Sequence, residues 1–348
     1  MNYLEIIRVL FFAVVSFVLA ILLTPLLTHF LYKYKLGKKI RDSKSAPIFN
    51  KLHQKKAGTP TMGGLLIWVT VLALALLFAL LSHIWPHSFF AELNFLNRAE
   101  TWVPLAMFVA AALVGMVDDW YNVLGLGPKG GGLRMRHRIF LYGLIALVGA
   151  LWFYFKLDWS SIHIPFVGLW DLGWWFIPFF MLVIIATGFS VNETDGLDGL
   201  VGGVLLLAFA AFGTLAFIQG RFDLAVFCVT IVGALAAFLW FNIYPARFFM
   251  GDTGAMSLGV ALGVIAMFTN SALFLPVIGI VLVAESASVI LQVLSKKIRH
   301  RKIFLSAPLH HHLEAKGWPE PKIVMRFWVI SGVAAVIGLI LALADKTL

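Results

Sequence analysis

The sequence predicts an all-α polytopic membrane protein with about ten transmembrane helices, both termini outside and the polar residues gathered on the cytoplasmic face. Three observations carry this. The 348 residues are 61% hydrophobic and only 13% charged, with a mean hydropathy of +0.93, an apolar share well above that of soluble domains. The apolar residues fall into runs of bilayer length, and the basic residues alternate between the loops that join them.

A bilayer core takes roughly 20 residues of helix. Runs of that order lie at about 6 to 32, 63 to 85, 102 to 117, 139 to 157, 173 to 190, 199 to 219, 223 to 243, 253 to 269, 272 to 294 and 324 to 344. The first follows Met1 to Arg8 with no small-residue cleavage site, so it reads as an anchor rather than a signal segment. Of the 27 Lys and Arg, 22 lie in loops that follow odd-numbered runs: nine from Lys33 to Lys56, four from Lys129 to Arg138, Arg247 alone, and eight from Lys296 to Arg326. The positive-inside bias makes those loops cytoplasmic. Topology therefore accounts for the net charge of +10; no nucleic-acid partner is expected, and anionic membrane lipid is the expected contact. The single cysteine, Cys228, builds neither a disulfide framework nor a thiolate metal site, so any metal is held by oxygen or imidazole. With no internal repeat, low-complexity tract or soluble segment, residues 1–348 read as one membrane domain.

Charge at membrane depth is costly, which makes the ionisable residues near run ends informative, and they share one side. Asp118 and Asp119 (VGMVDDW) close the third run; they are either a solvated helix end or a repelling pair held by a divalent cation. Asn192, Asp195 and Asp198 (VNETDGLDGL) lie between runs five and six. The two aspartates share a helical face if they begin run six, and serve equally as caps. Asn242 (FNIYP) and Asp252 (FFMGDTGA) flank the link between runs seven and eight, where Asp252 reads as an Mg²⁺ ligand, with capping as the alternative. His310, His311 and His312 (APLHHHLEAKGWPE) occupy the last cytoplasmic loop. Consecutive side chains diverge, so donors to phosphate fit them better than a zinc site, and a solvated loop is the bland reading. Glu285 lies nearer the middle of run nine and is expected to pack inside the bundle; Gln292 sits two turns nearer the site, and KKAGTPTMGG opens run two at 55 to 64. Separate polar clusters on one face predict one site.

Together, GTPTMGG, VDDW, VNxTDGLDGL, FNxYPAxxFMGDTG and APxHHHxExKGWPE resemble the phospho-N-acetylmuramoyl-pentapeptide transferases, the MraY family of bacterial cell-wall synthesis, in order from about Lys55 to Trp328. The acidic patterns also occur across the polyprenyl-phosphate sugar-1-phosphate transferases, whereas HHH followed by KGWPE is more particular. The resemblance implies a multi-pass enzyme of the bacterial inner membrane, usually a homodimer, with periplasmic termini and an active-site cleft on the cytoplasmic face. It would transfer phospho-MurNAc-pentapeptide from UDP-MurNAc-pentapeptide to undecaprenyl phosphate, giving lipid I and UMP with Mg²⁺. The implied catalytic set is Asp118 as a base near the lipid phosphate, Asp119, Asp252 as the Mg²⁺ ligand, and His311. Asn192, Asp195, Asp198, Phe249 and Gln292 would surround the nucleotide, with Phe249 stacking on uracil. Lys56, Arg138, His311 and His312 would lie near phosphates, with Asn242 and His310 also among the substrate-binding residues. The chain departs from the family pattern at Phe189, commonly Asn, at Glu193, commonly Leu, and at Arg138, often Lys. A related transferase using UDP-N-acetylglucosamine is the alternative; a transporter, which would tend to carry repeat-related broken helices, is the distant one.

A phosphate monoester has its second pKa near 6, so the implied nucleophile is already largely a dianion. The expected chemistry is direct attack aided by charge neutralisation and in-line positioning, without a phospho-enzyme.

Overall fold

The computed structural model describes residues 3–37, 56, 58–97, 99–127 and 131–345. Most of the basic loop between Lys33 and Lys56 lies outside the described residues, as do Arg98, Lys129 and Lys346. Ten long helices account for the ten runs: α1 Tyr3–Lys33, α2 Leu65–Ile84, α3 Ala99–Leu124, α4 Met135–Leu151, α5 Phe176–Thr194, α6 Leu200–Ile218, α7 Phe222–Asn242, α8 Gly251–Phe268, α9 Ile280–Ile298 and α10 Glu320–Ala344. Among the described residues nine are long and apolar enough to cross a membrane. The tenth, α9, holds Glu285, Lys296 and Lys297 within its 19 residues.

Helix ends differ from the predicted runs where polar residues are buried. The third run was expected to stop at 117, but α3 continues to Leu124 and carries Asp118 and Asp119 inside it. Likewise α5 continues to Thr194, which places Asn192 on the helix and Asp195 at its C-terminal cap. Asp198 precedes Gly199, which enters α6 at φ +79°. The two aspartates of TDGLDG therefore do not share a face of α6, correcting that expectation. The ninth run is split at Gly279, with a short helix Leu275–Ile278 ahead of α9.

The all-α expectation has one small exception. β1 (Ser161–Ile164) and β2 (Gly168–Asp171) form an antiparallel hairpin between α4 and α5, with Ser161 opposite Asp171 and Ile164 opposite Gly168. Asp345, at the end of α10, fastens it: its Oδ2 lies 2.8 Å from His163 Nε2 and accepts from the Phe166 N–H at 2.6 Å.

The centre of the bundle is α8, buried along all 18 of its residues and flanked by α3 and α5. Lipid tails give apolar helices no hydrophobic reason to associate, so membrane helices adhere through close backbone packing and satisfied polar groups. The sequence supplies both. A Cβ on Gly259 of α8 would come 2.7 Å from Gly188 Cα of α5, and one on Gly115 of α3 would come 2.3 Å from the Asp252 carbonyl oxygen. Asp252 is thus held by its backbone before its side chain is considered. Farther out α1 packs on α7, α6 on α7 and α10, and α9 on α5. Ser16 Oγ donates to the Thr230 carbonyl at 2.6 Å, joining α1 to α7 at a depth where water cannot compete.

Candidate active site

The polar residues cluster at one end of the bundle, where α3 ends and α8 begins. Asp118, fully buried, accepts from the Leu133 N–H and lies 2.6 Å from Arg138 Nη2. The same nitrogen is 3.1 Å from Asp252 Oδ2. Asn192 completes the group: its Nδ2 donates to Asp252 Oδ1 at 2.6 Å, and its Oδ1 accepts from Arg138 Nη1 at 3.3 Å. Four helices, α3, α4, α5 and α8, thereby meet in one network in which two carboxylates share a single guanidinium. The planar fork of arginine leaves its other terminal nitrogen, Nη1, free to reach Asn192 Oδ1 while Nη2 serves both carboxylates.

Asp119 faces another way. Its Oδ2 accepts from the Thr253 N–H at 2.9 Å and its Oδ1 accepts from Thr61 Oγ1 at 3.4 Å. It caps α8 from a neighbouring helix, satisfying one of the amides a helix start leaves free. Gly251 makes this possible: at φ +75° it has no Cβ, and an added one would lie 2.5 Å from Asp119 Oδ2.

A second cluster lies beside the first. Lys56 Nζ is 2.6 Å from both Asp198 Oδ1 and Glu320 Oε1, and 5.8 Å from the centroid of the half-buried Phe249 ring. Asp198 Oδ2 accepts from the Ala246 N–H at 3.0 Å, and Glu320 Oε1 also accepts from the Asp198 N–H at 2.6 Å. Asn242 works inside this link: its Oδ1 accepts from the Gly199 N–H at 2.9 Å and its Nδ2 donates to the Phe248 carbonyl at 2.8 Å. Glu320 was not among the expected site residues, although an acid in the first turn of a helix after a proline was a readable signal.

The histidine run forms the short helix Leu309–Ala315, and its three members diverge as expected of neighbours. His310 is fully buried, with Nδ1 at 2.9 Å from Glu285 Oε2 and its N–H donating to Glu285 Oε1 at 3.2 Å. Glu285 is thus packed inside the bundle and paired. His310 Nε2 closes on Gly196 of the TDG turn, where a Cβ would come within 2.1 Å. His311 Nδ1 lies 2.7 Å from Glu314 Oε2. Gln292 binds backbone, accepting from the Ile303 and Phe304 N–H groups at 2.9 and 3.0 Å and donating to the Phe304 carbonyl at 2.9 Å.

His312 Nδ1 accepts from the Leu305 N–H at 3.1 Å. Burial, then the neighbouring Lys316 charge, holds its pKa below the ordinary 6.5. The imidazole is therefore neutral at pH 7, with its proton on Nε2, and the Leu305 bond is fully present above 6.5 and lost as pH falls through the lower folded value. Hydrogen exchange at the Leu305 amide, normalised to its intrinsic rate, is expected to be constant from pH 8 to 6.5 and faster below. An acceleration already complete above pH 6.5 would refute the assignment.

Among the described residues no three acids, imidazoles or thiols converge to enclose a metal ion. What converges is an oxygen donor set, Asp118 and Asp252, balanced by one arginine. That set suits a hard cation taking one or two protein carboxylates and completing its shell with water and substrate phosphate, the usual mode for Mg²⁺.

A helical membrane bundle with this acid–guanidinium network defines a class. Residues 101–270 match the family model described as Glycosyl transferase family 4, a membrane-embedded transferase here. Residues 56–67, from Lys56 into α2, match the phospho-N-acetylmuramoyl-pentapeptide-transferase signature 1. Curated relatives named phospho-N-acetylmuramoyl-pentapeptide-transferase include one from Chloroflexus aggregans, 40% identical over 97% of this chain and 90% of its own length. Others are from Geobacillus thermodenitrificans, 39% identical over 93% and 95%, and Listeria monocytogenes, 38% identical over 93% and 95%. The chain belongs to the phospho-N-acetylmuramoyl-pentapeptide-transferase family, and is a multi-pass protein of the bacterial inner membrane.

Proposed function

We propose that this chain transfers phospho-MurNAc-pentapeptide from UDP-MurNAc-pentapeptide to undecaprenyl phosphate, releasing UMP and leaving lipid I in the membrane. The observation that carries the reading is the joining of Asp118, Arg138, Asn192 and Asp252 at one end of the bundle, in a chain about 40% identical to relatives of that name over nearly its whole length.

The obstacle in this reaction is the approach of two anions. Arg138 supplies positive charge where the phosphates meet, and Asp118 and Asp252 together hold its guanidinium at Nη2. Asp118 orients the lipid phosphate, which is already largely a dianion. Mg²⁺, held by Asp252 with Asp118 beside it, would neutralise the diphosphate. Lys56 and Phe249 form the nucleotide side, with Phe249 stacking on uracil and Lys56 meeting phosphate. Asp195 and Asp198 border the nucleotide, Asp119 holds the start of α8, and His311 and His312 present imidazole nitrogens to phosphate. Asn242, Gln292 and His310 shape the backbone around the substrate. In this reading residues 1–348 act as one domain, the site faces the cytoplasm with both termini periplasmic, and the enzyme is a homodimer.

The test is product analysis with purified protein, undecaprenyl phosphate and Mg²⁺, offering UDP-MurNAc-pentapeptide or UDP-N-acetylglucosamine. Lipid product and UMP are expected from the first donor alone. Product from the second alone would overturn the assignment in favour of the related N-acetylglucosamine transferases.

A further inference from the structure

A cleft of about 480 Å³ opens between the site-bearing end of α1 and the link from α7 to α8. Pro25, Thr28, His29, Tyr32, Lys33 and Arg247 line it. None of these is acidic, and neither Lys33 nor Arg247 is paired with a carboxylate among the described residues. The two cations rest on aromatic rings instead: Lys33 Nζ is 5.9 Å from the Tyr34 centroid and the Arg247 guanidinium 5.6 Å from that of Phe241. Tyr32 Oη donates to the Arg247 carbonyl at 3.0 Å, bracing the cleft between its two walls.

Its position identifies the occupant. Along α1, Leu22 and Leu26 are each 69% exposed, an apolar face continuous with lipid, and one to two turns on the surface changes to Phe30, Tyr32 and Tyr34 and then to bases. Aromatic residues followed by cations mark the level of lipid headgroups. A basic cleft between helices at that depth matches a headgroup phosphate whose acyl chains lie along the apolar face above it. We infer that the cleft between α1 and the α7–α8 link binds the headgroup of an anionic phospholipid.

Occupancy bears on the neighbouring network. Arg247 follows Ala246, whose N–H donates to Asp198. The same link reaches Phe249, whose N–H donates to the Pro60 carbonyl at 2.8 Å and whose carbonyl accepts from the Gly63 N–H at 2.7 Å. A headgroup on Arg247 therefore steadies the strip of backbone that leads into Asp252.

The test measures binding directly, so it does not depend on the transfer reaction. Detergent-purified protein is titrated with phosphatidylglycerol or phosphatidylcholine and bound lipid is counted by native mass spectrometry, for wild type and for the Lys33→Gln, Arg247→Gln double variant. One phosphatidylglycerol is expected to bind wild type in preference to phosphatidylcholine, and the double variant to bind it roughly thirtyfold more weakly, given the attraction each base contributes at an anionic surface. Melting temperature and phosphatidylcholine binding should not change. Equal phosphatidylglycerol affinity in wild type and variant would overturn the inference, as would displacement of the lipid by millimolar inorganic phosphate, which would mark a free-anion site. If the double variant melts early, Arg247→Gln alone gives the same comparison, with a several-fold weakening expected.

Discussion

Asp252→Asn is expected to lower transfer by roughly two to three orders of magnitude, the loss seen when one preorganised electrostatic partner leaves a reaction site. The substitution keeps shape and removes charge. Asn192 still has an oxygen to donate to, and the backbone stays clamped by Gly115, so the fold should be retained. What is lost is one of the two carboxylates that share Arg138. With Asp118 alone opposite the guanidinium, the cluster is less anionic and its hold on a divalent cation weaker. The half-saturating Mg²⁺ concentration should therefore rise as the rate falls. Steady-state rates across a Mg²⁺ titration, with melting temperature as the control for folding, check both effects. Full activity at an unchanged Mg²⁺ optimum would remove Asp252 from the proposed metal site.

Glu285→Ala is expected to produce the largest loss of stability. Glu285 and His310 are both fully buried, and the carboxylate takes the imidazole at 2.9 Å and the backbone N–H of the same residue at 3.2 Å. Removing the carboxylate leaves two buried polar groups, the imidazole and the backbone N–H, without their partner, at about 1–3 kcal/mol each. The short histidine helix should undock from α9, and with it the contact between His310 and Gly196. Glu285→Gln keeps an acceptor for the backbone amide and should lose less. Thermal unfolding in detergent ranks the three proteins; an alanine variant as stable as wild type would show that the pair contributes nothing.

The helices were legible in the sequence because lipid imposes a length and an apolar composition that few other constraints disturb. The acids were legible because charge at a span end is expensive enough to need a reason. Their surroundings were not. Asp118 and Asp119 read as the end of the third run since polarity normally ends a span, yet α3 continues because Arg138 and the Thr253 amide, distant in sequence, satisfy them. The backbone partners of Asn242 and Gln292, whose amides hold Gly199, Phe248, Ile303 and Phe304, had no trace in the local sequence. Which way a side chain points is decided by packing, which local pattern does not encode. The hairpin escaped because its two strands are four residues each and depend on Asp345, far along the chain, for an anchor.

The complete burial of α8 also bears on how the protein is made. It is the least apolar of the nine spans and contains Asp252, Thr253, Ser257 and four glycines, so it is poorly suited to leaving the translocation machinery for lipid alone. Its natural solvent is protein. The surfaces that receive it on α3 and α5 precede it in the chain, so during synthesis they are already present when α8 emerges. Biogenesis of the site is in this sense expected to be templated: the last strip of the acid–arginine network should enter the membrane against helices that already carry the rest.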